Sequence, residues 1–347
     1  MIKSFTFLIS KHQVLHTYVL EFFKRIEFET GHFEDNFFDP DFLPLVRRHP
    51  NIIRDRLEEI YNVLKRLPQF TRSTICNQII DSNDIESICQ GLQTPIKLTR
   101  HSVGIKHKIR QFFIDLYDQV LNGDAFEDVF HTNLQEHFKA FRDLNNNLTI
   151  CPICGISPLK SKFDEIRDQY DHYLPKSLYP FSSVNFENLV PGCTDCNSPQ
   201  VKSNKDIVHY STGLNFFPFD QNHSGIEVFF SITKDDISID NIEWSINCSN
   251  PEGNVDKIQS WRDIYRIDSR YTGLVKGKIK LWFKHFWEYK HDSRFDGWTN
   301  GQIETAYYIF LEKDDELFLD FLRRPALKSF LDGSVMARAE IEAKFYA

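Results

Sequence analysis

The chain has 347 residues and a formal net charge of −8, from 41 Lys and Arg against 49 Asp and Glu. Hydrophobic residues make up 41%, and Phe alone (32) outnumbers Gly (14) and Pro (14) together, so a large core can be buried and wholesale disorder is excluded. The acidic balance argues against a protein that coats nucleic acid over its whole surface, and no uninterrupted apolar run approaches the ~20 residues of a membrane span.

Residues 1–148 read as a mostly helical region. Its apolar start, 1–28, is broken by Lys3, Lys11, His12, Glu21 and Lys24. It lacks the charge-then-apolar-then-small order of a signal peptide, which points to a cytoplasmic address. Ile109, Phe112, Phe113, Leu116 and Val120 recur at helical spacing, with Gly123 as the stop. Phe126, Val129, Phe130, Leu134, Phe138 and Phe141 make a second stripe that ends in Asn145-Asn146-Asn147, a turn or linker. Both stripes are read as helix–helix core.

Residues 149–215 have no long period. They are rich in turn formers (Gly155, Pro158, Pro175, Pro180, Pro191, Gly192, Pro199), which suits a small module held by something other than a large core. The pattern changes again in 216–347. Ile226, Val228, Phe230 and Ile232 alternate, as do Ile237 with Ile239, and Ile242 with Trp244, Ile246 and Cys248. This predicts two or three antiparallel strands, closed by Pro251-Glu252-Gly253. Amphipathic helices are then predicted over 261–270, 276–289, 302–311 and 316–321. The expected fold class is α+β, a mostly helical chain with a small central module and a short antiparallel β segment after it.

The chain has seven cysteines: Cys76, Cys89, Cys151, Cys154, Cys193, Cys196 and Cys248. An odd number in a long, cytosolic-looking chain argues against a disulfide framework. Four of them form two C-x-x-C pairs, Cys151-Pro152-Ile153-Cys154 and Cys193-Thr194-Asp195-Cys196. Two residues between thiolates let both sulfurs of a pair reach one tetrahedral ion, and two pairs make a closed structural zinc site. The pairs stand further apart than the roughly 15–20 residues of a typical zinc ribbon, so 155–192 is an insert that needs its own reading.

Within and after the insert stand Asp171-His172, then Pro175, then Asn188-Leu189-Val190-Pro191, and finally Cys193-x-x-Cys196-Asn197. Asp171 is a hard oxygen ligand suited to Mg2+ or Mn2+, Asn197 offers a neutral oxygen, and His172 is a base able to work near neutral pH. If Asp171 and His172 end a strand, their side chains point to opposite faces unless the strand bends. Each residue alone has a blander reading: a surface turn for Asp171-His172, a turn residue for Asn188, a helix cap for Asn197. All of them falling inside one zinc frame favours the catalytic reading. His209 nearby is read as a partly buried histidine.

Over about residues 151–205 the sequence resembles the HNH endonucleases, the nucleases with a ββα-metal active site. The resemblance implies a metal-dependent phosphodiester hydrolase acting on DNA, with RNA left open. His172 would be the general base, Asp171 and Asn197 would hold one catalytic Mg2+ or Mn2+, and Asn188 would orient the loop and the histidine. The four cysteines would hold structural Zn2+. Family members often carry a Lys three residues after the Asn that follows the second Cys pair. Here that position is Gln200, and Lys202 or Lys205 is expected to make its phosphate contact. Free-standing HNH proteins with large helical flanks are also similar to nuclease subunits of bacterial anti-phage systems such as the Septu type. That similarity implies an ATPase regulatory partner, since no Walker A pattern occurs here. The alternative is a non-catalytic zinc module that binds nucleic acid or protein.

Further phosphate contacts are sought in the flanks. Residues 257–294 carry ten Lys and Arg against four acids, with Lys276, Lys280 and Lys284 on one helix face beside Trp282 and Phe283. The stretch 97–110 carries Lys97, Arg100, Lys106, Lys108 and Arg110 and no acid. The blander reading of each is a solvated helix face.

Overall fold

The computed structural model describes residues 3–146, 148–202, 204–222, 225–313 and 319–345, and the statements below are made of these. Asn147 and 316–318, assigned above to a linker and a helix, lie outside them.

The N-terminal region is helical. It holds α1 (Val14–Ile26), α2 (Leu43–Arg48), α3 (Asp55–Leu64), α4 (Gln69–Asp81), α5 (Ile85–Cys89), α6 (Ile105–Asp115), α7 (Asp124–Phe130) and α8 (Leu134–Leu144). The stripe that begins at Ile109 ends before Gly123, as expected. It runs from α6 into a wide π turn, Leu116–Leu121, and Gly123 is the extended N-cap of α7. The second stripe is cut at His131, whose φ of 53° breaks the chain between α7 and α8. Asn133 then starts α8 with a capping box to Glu136. Phe22, Phe23, Phe112, Phe113, Phe126 and Phe138 fill the first of two cores.

The central module contributes a short hairpin, β1 (Tyr170–His172) and β2 (Leu189–Pro191), paired antiparallel with Asp171 opposite Val190 and His172 opposite Leu189. Cross-strand partners share a face. Tyr170 and Leu189 therefore join the N-terminal core, while Val190 joins a second core with Cys151, Cys154, Cys193 and Cys196. The hairpin is the seam between the two cores. A ββα module would place a helix next. Instead residues 194–202 run as turns. Pro199 lacks the N–H a helix would use, and Lys202 is drawn inward rather than presented on a helix face.

The C-terminal region opens with the hairpin β3 (Glu227–Lys234) and β4 (Glu243–Ser249), irregular between Ile232 and Lys234. The predicted third strand at 237–239 does not form; Ile239–Asn241 is a 3-10 turn. Then come α9 (Val255–Tyr265), α10 (Ile267–Lys290), α11 (Asn300–Lys313), α12 (Asp320–Gly333) and α13 (Met336–Phe345). The helix predicted over 261–270 is two helices, because Arg266 adopts φ 52° between them. The one predicted over 316–321 begins at Asp320 and continues through Pro325. Among the described residues, no helix is long and apolar enough to cross a membrane.

Candidate metal centre and adjoining cavity

The sulfurs of Cys151, Cys154, Cys193 and Cys196 all lie within 4.8 Å of one another, and each residue is at most 2% exposed. Cys154 and Cys193 sulfurs are 3.8 Å apart. A tetrahedron built on Zn–S bonds of about 2.3 Å has an edge of about 3.8 Å. Among the described residues this is the one cluster of three or more His, Cys, Asp or Glu side chains able to hold a metal, and its all-sulfur donor set suits zinc.

Local backbone builds the cluster. Gly155, at φ 68°, turns the first pair back so that its N–H reaches the Cys151 carbonyl at 2.7 Å. The Cys193 N–H donates to Cys151 Sγ and the Cys196 N–H to Cys193 Sγ, both at 3.4 Å. Arg270 Nη1 donates to Cys196 Sγ at 3.4 Å, placing a cation against a site that four metal-bound thiolates would make anionic. The first pair is also held from outside. Trp261 Nε1 donates to the Ile153 carbonyl and Tyr271 Oη to the Cys154 carbonyl, both at 2.7 Å.

Beside this centre lies a cavity of about 420 Å³. Asp171, His172 and Asn197 all line it. As expected of consecutive strand residues, the first two face opposite ways. His172 faces the N-terminal helices, where its ring lies edge-on to Tyr117 with centroids 4.4 Å apart. Its Nε2 is 3.0 Å from the Ser183 carbonyl. A carbonyl only accepts, so Nε2 carries the proton and Nδ1 is the lone-pair nitrogen. Burial, reinforced by Lys176 and Lys202, lowers its pKa to about 3 against the opposing Ser183 hydrogen bond. The ring is therefore neutral at pH 7.

Asp171 faces the zinc side. Lys202 Nζ is 2.7 Å from each of its carboxylate oxygens and donates to the His172 carbonyl at 2.6 Å. The Lys202 side chain is 0% exposed. Burial pushes the Asp171 pKa up and the Lys202 pKa down, and their mutual attraction opposes both shifts. This corrects the expectation that Lys202 meets phosphate: it is an internal strut.

Asn188 is fully buried and braces the loop between the strands. Its Oδ1 accepts from the Leu174 N–H at 2.6 Å, and its Nδ2 donates to the Leu174 and Ser182 carbonyls, each at 3.1 Å. Ser182 adjoins Ser183, the partner of His172. Asn197 places its N–H on the Cys193 carbonyl at 3.1 Å, so the knuckle fixes its backbone; no helix follows for it to cap.

The remaining predicted contacts lie elsewhere. Lys205 Nζ closes the end of α9, donating to the Asp263 carbonyl at 3.1 Å and the Ile264 carbonyl at 2.6 Å. Lys276 donates to the Asp240 carbonyl, Lys284 pairs with Glu288, and Lys280 is exposed; none of the three lines the cavity. In the 97–110 stretch, Lys97 pairs with Asp206 and Lys108 with Glu59. His209 is exposed and faces Asp206.

Sequence reasoning missed the opposite wall. Tyr117, Asp118 and Asn122 come from the π turn and its end, and Arg167 and Lys176 from the insert. Tyr117 and Asp118 sit within an apolar stripe read as core. Only the tertiary docking of α6 and the π turn against the hairpin turns them toward the site.

These features define a mostly helical α+β protein with a buried four-cysteine cluster that could hold a metal ion, next to a polar cavity. Comparison with protein-family models, curated proteins and solved structures found no match for the chain.

Proposed function

We propose that the protein is a metal-dependent endonuclease that hydrolyses phosphodiester bonds in the cavity beside its zinc centre. The observation that carries the reading is that Asp171, His172 and Asn197, singled out by their chemistry, line one cavity.

His172 is the general base. Its Nε2–H is committed to Ser183, its Nδ1 is free of a proton at neutral pH, and an anionic phosphate beside it would raise its basicity toward the working range. Tyr117 limits the ring's rotation. Asp171 and Asn197 offer hard oxygen donors suited to Mg2+ or Mn2+. A carboxylate has about four lone-pair sites, so pairing with Lys202 leaves Asp171 able to ligate. The divalent ion would supply Lewis-acid stabilisation of the phosphate and leaving oxygen. Lys202 fixes Asp171 and the His172 peptide together, and Asn188 holds the loop that carries Ser183.

Incubation of purified, zinc-loaded protein with supercoiled plasmid and with RNA, with and without Mg2+ or Mn2+, tests this. Cleavage is expected to need the added ion and to vanish in His172→Ala with zinc content unchanged. Cleavage that survives in His172→Ala, or binding of nucleic acid with no cleavage of either substrate, overturns it; the latter would favour a non-catalytic zinc module. An ATPase regulatory partner in anti-phage defence belongs to the same proposal. Co-elution of the full chain with a neighbouring ATPase, and a change in cleavage on adding it, is the result expected for that part.

A further inference from the structure

The cavity holds two cations that the proposed mechanism does not use. Arg167 is half-buried, and its contacts are neutral: Nη1 donates to the Asp168 carbonyl at 3.0 Å, Nη2 to Asn122 Oδ1 at 3.5 Å, and the guanidinium lies 5.2 Å from the centre of the Tyr170 ring. A cation without a carboxylate, on the wall of a polar cavity, is an anion site in waiting. Lys176 lines the same cavity, its Nζ 4.6 Å from the centre of the Tyr117 ring and paired with Asp118. That pair joins the insert to the π turn of the N-terminal region. Its side chains remain reachable, at 28% and 46% exposure. Asp118 therefore occupies the position an incoming phosphate oxygen would take on Lys176.

We propose that Arg167 and Lys176 form a backbone-phosphate subsite of the nucleic acid, and that Asp118 is its built-in competitor. The inference rests on the reading of the cavity as a nucleic-acid site. A phosphate entering the subsite takes Lys176 from Asp118 and loosens the tie between the insert and the N-terminal helices. A partly exposed ion pair is weak enough for a dianionic backbone segment to displace it, because Arg167 and Lys176 act on the phosphate together.

The test uses the full chain carrying His172→Ala, so that binding is read without cleavage. Fluorescence anisotropy of labelled duplex DNA, single-stranded DNA and RNA oligonucleotides gives Kd over a salt series. Lys176→Met is expected to weaken binding about threefold to tenfold and to flatten the dependence of log Kd on log salt by about one. Asp118→Asn is expected to tighten binding about threefold or more. Its gain should disappear when Lys176 is already Met, which distinguishes competition for Lys176 from general relief of repulsion. Lys176→Gln serves as a second variant, and melting curves confirm that each is folded. Binding in which Asp118→Asn gives no gain, or gives the same gain without Lys176, overturns the subsite while leaving the cavity as a nucleic-acid site. Failure of all three oligonucleotides to bind at any salt overturns both.

Discussion

Lys202 and Asp171 form a buried ion pair, with the ammonium 2.7 Å from each carboxylate oxygen. The pair spans from the turns after the zinc knuckle to the strand that carries His172. Both charges have lost their water, so each depends on the other. Removing either leaves an uncompensated charge in the interior.

Lys202→Met is accordingly expected to cost about 3–5 kcal/mol of stability. Replacing both partners, Lys202→Met with Asp171→Leu, should recover much of that loss, since a buried pair exchanged for apolar groups is often near neutral. Urea denaturation of the unaltered protein and both variants checks this. A double variant no more stable than Lys202→Met would show that the pair is not an isolated unit.

Zinc removal should be visible in tryptophan fluorescence. Trp261 donates its indole N–H to the Ile153 carbonyl inside the first C-x-x-C pair, so collapse of the knuckle frees that donor. One zinc per chain is expected by elemental analysis, and Cys193→Ser is expected to lose it with a destabilisation of several kcal/mol. Cys76, Cys89 and Cys248 are buried away from the cluster, and Cys248→Ser should leave zinc content unchanged.

Acid should destabilise the protein well above the carboxylate range. Burial lowers the pKa of His16 to about 4 and that of His137 to about 3, from 6.5 when unfolded. The folded imidazoles stay neutral while those of the unfolded chain take up protons, so this stability is fully present above pH 6.5 and is lost as pH falls toward the folded values. Between pH 6.5 and 5 each contributes roughly 2 kcal/mol to the loss. Melting temperature measured against pH should fall over this window, and less steeply in His137→Gln. A flat profile would mean that the two rings are not held neutral.

Much of this was legible in the sequence because it is local. The two C-x-x-C spacings announce a metal site, and the alternation from Val228 to Ile232 and from Trp244 to Cys248 announces a hairpin. The Asp171-His172 step announces opposite faces, which is what the strand delivers. The misreadings have physical causes of longer range. Lys202 reads as a surface cation because nothing near it in sequence supplies a counter-ion; its partner, Asp171, is on β1. Lys205 reads alike until the end of α9 is brought to it. The break at Arg266 escaped because left-handed backbone at a non-glycine residue leaves no compositional trace. Tyr117 and Asp118 escaped because a wide turn presents residues that a regular helix would hide or point outward.

The donors that secure the first cysteine pair have an implication for the order in which the molecule is made. Ile153 and Cys154 leave the ribosome more than a hundred residues before Trp261 and Tyr271, whose side chains satisfy their carbonyls. The second cysteine pair arrives in between. A nascent chain can thus gather its four sulfurs and still have two unsatisfied oxygens behind them until α9 and the start of α10 are synthesised. The enclosure around the four sulfurs is finished late in translation, from the C-terminal side, and a chain that ends before Trp261 never completes it.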